Sequence, residues 1–379
     1  MQISRYQYKD AVCSRWKFSP VEFGKINLLV GNSGMGKTLF LNTLFNLGSQ
    51  IVSKEMRPGI WNLDLIIDNV KYIWHVETKS EDARRPIILL EELVKFDGDE
   101  RRIIVERSID KFIFNGKELP KLSRNESSIS LLREEAEIHP IFHGFSSILR
   151  RRFFEADLSE RCRIDGFPFG FLDKLAGGKD LSKLYPILHS KELNLNSIMY
   201  ILSKNFQEVF TRICGIYKSV FSFITDIKVM EIQELDEEIK LPGQIPVFCI
   251  KEKGITDWVT LNNLSSGMQK VLLILTDIFT LPRGSIYLVD EYENSLGVNA
   301  INFFPDLLLE ENFNIQFFIA SHHPYIINKI PNFSWYVFHR TGFDVKILYG
   351  KKLGERLGTS KQQAFVKLLN DSFFIEGLE

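Results

Sequence analysis

Residues 31–38 read GNSGMGKT and match the pattern G-x-x-x-x-G-K-[S/T] at Gly31, Gly36, Lys37 and Thr38. The apolar run 26–30 before this octapeptide is typical of a buried strand, and the run 39–45 after it is typical of a helix start. A glycine-rich turn between strand and helix lets backbone amides surround an anion at the positive end of the helix dipole. The pattern therefore predicts a phosphate-binding loop in an α/β fold, the alternative being a turn that binds nothing.

The last two side chains of this loop have separate chemical roles in the prediction. We expect the Lys37 ammonium to contact the β- and γ-phosphates of a nucleotide and the Thr38 hydroxyl to ligate Mg²⁺. The backbone of the whole loop is expected to surround the phosphates. The residues predicted here to bind nucleotide are Gly31, Asn32, Ser33, Gly34, Met35, Gly36, Lys37 and Thr38.

Composition excludes several other classes of protein. The formal net charge of −1 over 379 residues gives no general basic field, so any nucleic-acid contact needs a local patch. The cysteines lack C-x-x-C spacing, which predicts inert thiols in a reducing compartment. Because the N-terminus is polar and no segment reaches about 18 consecutive apolar residues, we expect a cytoplasmic protein without a membrane partner. The cysteines are Cys13, Cys162, Cys214 and Cys249.

The order of periodic segments predicts three parts. Residues 1–120 are expected to form the N-terminal half of a nucleotide-binding head that carries a small antiparallel β layer. Residues 121–240 have mostly helical periodicity and are predicted to form an insertion lobe. Residues 241–379 alternate strand and helix, which predicts parallel βαβ units with strands at 285–289 and 315–320.

Local turn signals refine this outline. Asp68-Asn69 and Asn115-Gly116 separate runs of alternating polarity, which predicts two β-hairpins. The charged segment 79–85 is expected to be an exposed loop, and a helix is expected over Lys361 to Asn370.

An apolar strand, Ser285 to Val289, ends in the two acids Asp290 and Glu291. A parallel strand delivers the residues after its carboxyl end to the crevice where ligands bind. We expect Asp290 to hold Mg²⁺ and Glu291 to orient and polarise the attacking water. Alone, the pattern often marks only a strand end, but behind a phosphate loop it favours phosphoryl transfer.

Two further segments contribute candidate ligands. Ser265, Ser266 and Gly267 open a helix, which predicts either an anion site at Ser265 and Gly267 or an ordinary helix N-cap. His322 follows the strand 315–320 and is either a sensor of the γ-phosphate or a structural histidine.

The basic cluster Arg150, Arg151 and Arg152, with Arg161 and Arg163 nearby, has two interpretations. It is either a solvated helix face or a contact to phosphate or nucleic acid. Nucleic acid is therefore a possible partner through Arg150, Arg151 and Arg152.

The order of these motifs resembles the ABC-type ATPase heads, and the SMC, RecF and OLD-like branch more closely than the membrane transporters. In that resemblance LSSGMQK is similar to the signature segment, IYLVDEYENSLG to Walker B and the D-loop, and ASHHP to the switch-histidine segment. The resemblance implies an α/β, ABC-ATPase-like P-loop NTPase head with a mixed sheet, a small antiparallel β layer and a helical insertion lobe.

The resemblance also implies a composite site with ATP and Mg²⁺ as cofactors. Lys37, Glu291 and His322 would be catalytic, and Ser265 would act on ATP bound to a neighbouring protomer in a homodimer or higher oligomer. The glutamine that couples the metal to the rest of such heads has no clear match. Residues 127–132 resemble the stretch that occupies this region in OLD-like ATPases.

Two functions follow from this resemblance. One is an ATP-hydrolysing sensor or motor in anti-phage defence or DNA maintenance; the alternative is a slow-turnover scaffold gated by nucleotide. Glu291 favours the first, because holding a nucleotide needs no catalytic base, and a transporter ATPase is a weaker third option. OLD proteins continue into a nuclease domain, whereas about 55 residues follow Pro324 here, so any effector is expected to be a separate protein.

Overall fold

The computed structural model divides the chain into two compact units. The first comprises Met1–Arg151, Arg283–Tyr292 and Leu308–Glu379, and the second comprises Arg152–Pro282 and Glu293–Leu307. The residues that the structure describes are 1–11, 15–82, 85–98, 100–120, 123–153, 155–178, 180–236, 238–239, 242–294, 296–297, 300–310, 313–349 and 366–375.

The strands are numbered in chain order. They are β1 (Gln2–Asp10), β2 (Lys17–Glu22), β3 (Ile26–Val30), β4 (Gly59–Ile67), β5 (Val70–Asp82), β6 (Arg85–Asp97), β7 (Glu100–Ser108), β8 (Phe112–Phe114), β9 (Lys117–Glu118), β10 (Ile148–Arg151), β11 (Ile224–Glu231), β12 (Pro246–Glu252), β13 (Val259–Thr260), β14 (Ser285–Val289), β15 (Ile315–Ala320), β16 (Trp335–Thr341) and β17 (Asp344–Tyr349).

The α-helices are numbered in the same way, and residues 366–369 are helical as well. They are α1 (Lys37–Ser53), α2 (Ser128–Leu131), α3 (His139–Ser146), α4 (Glu155–Cys162), α5 (Phe171–Ala176), α6 (Leu181–Leu188), α7 (Leu195–Asn205), α8 (Gln207–Val220), α9 (Ile232–Leu235), α10 (Ser266–Thr280), α11 (Phe303–Glu310), α12 (Pro324–Lys329) and α13 (Ser372–Ile375).

A mixed sheet organises the first unit. Among the described residues it has fourteen strands in the order β10-β14-β15-β3-β16-β17-β2-β1-β4-β5-β6-β7-β8-β9. Neighbours from β10 to β16 are parallel, and β14 and β15 are buried along their whole length, as their apolar sequences predict. Because β3, β14 and β15 run in the same direction, the chain segments that follow them leave from the same edge of the sheet.

The antiparallel strands continue this sheet and confirm both predicted hairpins. Asp68 and Asn69 have φ of 50° and 65°, and Asn115 and Gly116 have φ of 50° and 75°. Positive φ at both central residues is the geometry of a type I′ turn, whose twist matches that of the flanking strands. The exposed loop expected at 79–85 is wrong, because β5 and β6 remain paired as far as Asp82 opposite Arg85.

The second unit combines helices with a small antiparallel sheet. Among the described residues, β11, β12 and β13 form a three-stranded sheet in that order. Asn196 on the buried helix α7 accepts a hydrogen bond from the Phe248 amide on β12 at 2.8 Å. The Tyr217 hydroxyl on α8 donates to the Met268 carbonyl of α10 at 3.3 Å. Side chains therefore bond these helices to each other and to the sheet.

The observed units differ from a division at residues 120 and 240. Residues 121–151 belong to the first unit, because β10 pairs with β14 and α3 packs on α1. The segment 246–280 belongs to the second, because β12 pairs with β11 and α10 packs on α8. Sequence periodicity identifies the elements but not these long-range pairings.

Two further features of the described residues bear on the sequence predictions. None of their helices has both the length and the apolar character needed to cross a membrane. Burial raises the pKa of the Cys162, Cys214 and Cys249 thiols to about 12, so they are protonated at neutral pH, as predicted for inert thiols. Cys13 lies outside the described residues.

A buried polar cluster joins the antiparallel strands to α2. The Glu91 carboxylate is fully buried, accepts hydrogen bonds from the Ser128 amide at 2.8 Å and the Trp74 indole at 3.1 Å, and lies 3.6 Å from the Arg107 guanidinium. Arg107 in turn donates to the Glu126 carbonyl at 2.6 Å. Burial raises the pKa of Glu91 and the positive Arg107 opposes that shift. Every partner of Glu91 here is a donor, which favours the ionised carboxylate.

The substitution Glu91→Gln is expected to lower the free energy of unfolding of the first unit by about 3–5 kcal/mol, because it leaves Arg107 buried without a compensating charge. Urea unfolding followed by tryptophan fluorescence measures the change. The control is Glu92→Gln, whose partner Arg101 is more than half exposed, and for which we expect a loss below about 1 kcal/mol. Equal urea midpoints for the two variants would contradict a structural role for the buried pair.

Candidate nucleotide site

The phosphate loop lies between β3 and α1, where its glycines have backbone geometry that other residues rarely adopt. Gly36, the N-cap of α1, has a φ of 93°, in the left-handed region. A Cβ atom on Gly36 would lie 3.3 Å from Val345 Cγ2, and one on Gly31 would lie 3.1 Å from the Phe338 carbonyl oxygen. The glycines at the two ends of the loop are therefore required by conformation and by space.

The Lys37 side chain folds back over the loop. Its Nζ donates to the Gly31 carbonyl at 2.6 Å and to the Asn32 carbonyl at 2.9 Å. Lys37 is also the first residue of α1, a helix of 17 residues whose dipole is positive at this end. An ammonium and the positive end of a helix therefore act on the same short loop, as an anion site requires.

The end of β14 brings the first predicted acid to the loop. Asp290 is only 4% exposed, and its Oδ1 accepts a hydrogen bond from the Thr38 hydroxyl at 3.2 Å. Its backbone amide donates a hydrogen bond to the Arg151 carbonyl of the neighbouring strand β10 at 3.0 Å. This bond holds the backbone of Asp290 beside the end of β10. The two residues predicted to hold Mg²⁺ are thus in direct contact.

The second acid, Glu291, has an unusual backbone conformation. Its φ is 51°, in the left-handed region, where a residue other than glycine is strained by about 1–3 kcal/mol. The next amide, of Tyr292, donates to the Ala320 carbonyl at the end of β15 at 3.4 Å. Glu291 is exposed while both of its neighbours are buried, so this turn presents its carboxylate to the cleft described below.

The two histidines after β15 have different roles. The His323 ring accepts a hydrogen bond from the Tyr325 amide at 3.3 Å and so caps α12. His322 is exposed and lines the same cleft as Glu291. The Ser321 amide donates to the Leu29 carbonyl at 3.3 Å, which keeps this turn beside the end of β3. His323 is thus the structural histidine of the pair, and His322 is the one that faces the cleft.

A cleft of about 770 Å³ connects these residues within the first unit. This volume lies in the range of small-molecule sites, about 300–1,000 Å³. Met35 belongs to the loop, but its side chain is buried in the core. The predicted residues that line the cleft are Gly31, Asn32, Ser33, Gly34, Gly36, Lys37, Thr38, Asp290, Glu291 and His322.

The oxygen atoms of Thr38 and Asp290 suit Mg²⁺, which prefers oxygen ligands and usually retains waters and substrate phosphates in its coordination shell. Within the part of the chain that the structure describes, no group of three or more His, Cys, Asp or Glu residues could hold a metal ion. The oxygen donors of Thr38 and Asp290 therefore fit a metal shared with a nucleotide better than one held by the protein alone.

The remaining predicted ligands belong to the second unit. Ser265 is the N-cap of α10, where its hydroxyl accepts a hydrogen bond from the Met268 amide at 3.4 Å, and the residue is exposed. Gly267 is buried in the first turn of this helix. The ordinary N-cap is therefore observed, and an exposed Ser265 stays a candidate for contact with a neighbouring protomer.

Lys270 is a residue that the sequence interpretation missed. It is fully buried on α10, and its Nζ donates to the Asn294 carbonyl at 2.7 Å and lies 4.3 Å from the centre of the Phe153 ring. Within the second unit it ties the start of α10 to the segment that begins at Glu293. Nothing in the local sequence around Lys270 predicts that this lysine is buried.

Of the two interpretations of the arginine cluster, the solvated helix face is wrong at Arg150. Arg150 and Arg151 lie in strand β10 rather than on a helix face. The Arg150 side chain is 6% exposed; its guanidinium lies 3.1 Å from Asp290 Oδ2 and also donates to Asn42 Oδ1. Arg161 donates to the Ser190 carbonyl at 2.8 Å. The Arg150 side chain is therefore held at the end of β14 and is not part of an exposed basic surface.

Aromatic and basic residues from three distant parts of the first unit form another wall of the cleft. The Arg340 guanidinium lies 4.4 Å from the centre of the Trp16 ring and donates to the Gly34 carbonyl at 3.1 Å. The Asn32 side chain donates to the Phe374 carbonyl at 3.1 Å. The sequence did not predict this wall, because its residues are far apart in the chain and come together only in the folded protein.

Of the helix predicted over 361–370, residues 361–365 lie outside the described part of the chain.

Comparison with known proteins is consistent with this geometry. A profile of the family described as "AAA domain, putative AbiEii toxin, Type IV TA system" matches residues 26–328. No curated protein matches the sequence. A solved SMC head bound to the C-terminal winged-helix domain of ScpA resembles the fold with a TM-score of 0.51 at 13% identity, over 92% of this chain and 97% of that one. The fold is thus similar to that of an SMC head, as predicted.

Two further SMC heads resemble the chain at the same identity of 13% but with lower TM-scores. The head from Pyrococcus furiosus, bound to the C-terminal domain of ScpA, has a TM-score of 0.48 over 94% of this chain and 98% of that one. The head from Thermotoga maritima has a TM-score of 0.40 over 92% and 99%.

Proposed function

Since the chain belongs to the AAA-domain family that matches residues 26–328, within the SMC- and RecF-like ATPases, we propose that it binds Mg²⁺ and ATP and hydrolyses the nucleotide. The observation that carries this proposal is the 3.2 Å contact between Thr38 and Asp290. It joins the phosphate loop to the acidic end of β14 in one cleft, which also contains Glu291. A binding loop, a pair of metal ligands and a candidate base are the parts that phosphoryl transfer needs.

Each part has a role that follows from its chemistry. The amides of the loop and the Lys37 ammonium bind the phosphates, and Thr38 and Asp290 hold Mg²⁺, which when bound neutralises charge on the β- and γ-phosphates. Glu291 accepts a proton from the attacking water and orients it. His322, which lines the same cleft, donates a hydrogen bond toward the γ-phosphate. The strained backbone of Glu291 favours hydrolysis over a slow-turnover scaffold. Backbone strain of this kind is concentrated at functional sites, where it fixes the direction of a side chain.

Partner proteins are a second component of the proposal. The name of the matched family refers to a putative toxin and a type IV TA system, and the resemblance of the sequence motifs supports a role in anti-phage defence or DNA maintenance. One solved SMC head of the same fold is bound to a separate protein, ScpA. We therefore propose that this chain acts as a nucleotide-gated sensor or motor whose output depends on a separate effector.

The proposed function is tested by steady-state release of phosphate from ATP, measured with and without DNA or RNA. Purified wild-type chain should hydrolyse ATP in the presence of Mg²⁺ and stop when EDTA is added. Tight binding of ATP without phosphate release, with or without nucleic acid, would favour the scaffold. Absence of both binding and release would contradict the nucleotide site itself.

We also propose that ATP joins two copies of the chain, with Ser265 of one copy contacting the nucleotide on the phosphate loop of the other. The exposure of Ser265 at the N-terminus of α10, a helix of 15 residues, supports this arrangement, because an exposed helix start attracts an external anion. Two identical contacts in a two-fold dimer would then enclose two nucleotides.

Mixing Lys37→Ala chains with Ser265→Arg chains should restore activity that neither has alone. In half of the randomly mixed dimers one of the two sites is intact, so we expect roughly a quarter of the wild-type ATPase rate. The control mixes Lys37→Ala with Glu291→Gln, which places a defect in each nucleotide site and should restore nothing. If mixing is confirmed by cross-linking and the first pair stays inactive, Ser265 does not act on a neighbouring copy.

A further inference from the structure

Strand β10 carries a guanidinium directly to the acid at the end of β14. The two strands are parallel, with Arg150 opposite Leu288 and Arg151 opposite Val289, and the Asp290 amide bonds to the Arg151 carbonyl. Successive side chains on a strand point to opposite faces, so Arg150 and Arg151 are directed differently. Arg150 is the one that reaches Asp290, at 3.1 Å.

The two oxygens of Asp290 have different partners. Oδ1 accepts the hydrogen bond of Thr38 at 3.2 Å, and Oδ2 pairs with Arg150. Both members of the ion pair are 6% exposed, so water screens the pair weakly. An arginine cannot release its proton in a protein, and its positive charge therefore stays beside Asp290 unless the side chain moves.

This arrangement conflicts with a metal ion at the same carboxylate. A divalent cation bound by Thr38 and Asp290 would lie next to a fixed guanidinium in a poorly hydrated place, where like charges repel strongly. A nucleotide whose phosphates shared a metal with Asp290 would have phosphate oxygens near Asp290 and therefore near Arg150. Guanidinium binds phosphate through two parallel hydrogen bonds, which makes the γ-phosphate a better partner than an acid already shared with a metal.

We propose that Arg150 is a sensor of the γ-phosphate, which exchanges its ion pair with Asp290 for the terminal phosphate when Mg²⁺ and ATP bind. The inference rests on the proposed nucleotide site. It adds an explanation of how that site distinguishes ATP from ADP. ADP offers no γ-phosphate, so Arg150 keeps Asp290 and competes with the metal. Asn42, which accepts a hydrogen bond from the same guanidinium, is on α1 and lines the cleft, so the place that the Arg150 side chain occupies borders the cleft.

Equilibrium binding of the β,γ-imido analogue of ATP and of ADP, both with Mg²⁺, tests the proposal on the full chain. Arg150→Gln should lower the preference for the ATP analogue over ADP by about tenfold or more, the loss of one bidentate charged contact. ADP affinity should stay within about twofold or rise, because a competitor of the metal is gone. The control Arg151→Gln, on the same strand with its side chain directed differently, should keep the wild-type preference.

If Arg150→Gln does not fold, Arg150→Lys is tested instead. The lysine keeps a positive charge beside the buried Asp290, so this variant is expected to fold. A lysine offers one point charge instead of a fork, so the preference for the ATP analogue should fall by several-fold. A wild-type preference in either folded variant, or an equal loss of ATP analogue and ADP, would overturn the sensor. Failure of the wild-type chain to bind either nucleotide would instead contradict the proposed function, so the two failures are distinguishable.

Discussion

ATP hydrolysis by the Glu291→Gln variant should be about 10²–10⁴-fold slower than that of the wild type, the range for loss of a positioned acid–base group. The glutamine keeps the shape of the side chain and its place in the cleft but cannot accept a proton from water. Single-turnover and steady-state release of phosphate measure the effect. The affinity of the variant for Mg²⁺ and ATP should change little. An ATP-bound oligomer should accumulate, because the bound ATP is not hydrolysed.

The control for this variant is Glu55→Gln, an exposed carboxylate of the first unit that does not line the cleft. Its rate should stay within about twofold of the wild type, since exposed substitutions rarely disturb a distant site. A normal rate in Glu291→Gln would show that another group positions the water, and the strained backbone at Glu291 would then need a different explanation.

Loss of nucleotide binding is the second large effect that we expect. Lys37→Ala removes the ammonium that bonds the Gly31 and Asn32 carbonyls and that would contact the β- and γ-phosphates. Hydrogen bonds to charged groups contribute about 1.5–3 kcal/mol each, so two of them predict an affinity at least about 100-fold weaker. Titration with a fluorescent ATP analogue measures the dissociation constant directly.

Lys9→Ala is the matched control for this loss, because Lys9 is exposed on β1 and lies outside the cleft. It should bind nucleotide as the wild type does. Unchanged affinity in Lys37→Ala, with an unchanged thermal unfolding midpoint, would remove the phosphate loop from the site.

Local signals in the sequence predicted the parallel part of the fold well. Strands β14 and β15 were predicted with their observed limits, because a strand buried on both faces has a continuous apolar sequence bounded by polar residues. The hairpin turns at Asp68-Asn69 and Asn115-Gly116 were predicted because few residues tolerate positive φ. The phosphate loop and the acids after β14 were predicted from spacing, and the structure brings them into one cleft.

The predictions that were wrong depend on which strands become neighbours. Three consecutive arginines suggest a solvated surface, but pairing of β10 with β14 places Arg150 against Asp290, where its charge is compensated. The charged segment 79–85 suggests a loop, but a long pairing between β5 and β6 includes it. Lys270 and the wall formed by Trp16, Arg340 and Phe374 depend in the same way on contacts between distant segments. Long-range pairing has no local signal in a single sequence.

The central claim, that ATP and Mg²⁺ bind between the phosphate loop and the end of β14, is tested most directly by a crystal structure of Glu291→Gln with both. We expect the phosphates within hydrogen-bonding distance of the amides of residues 34–38, with Lys37 moved from the Gly31 carbonyl to the β- and γ-phosphates. The metal should contact the Thr38 hydroxyl, with Asp290 bonded to it directly or through water. Nucleotide bound elsewhere on the chain, with Lys37 still on the Gly31 carbonyl, would contradict the account.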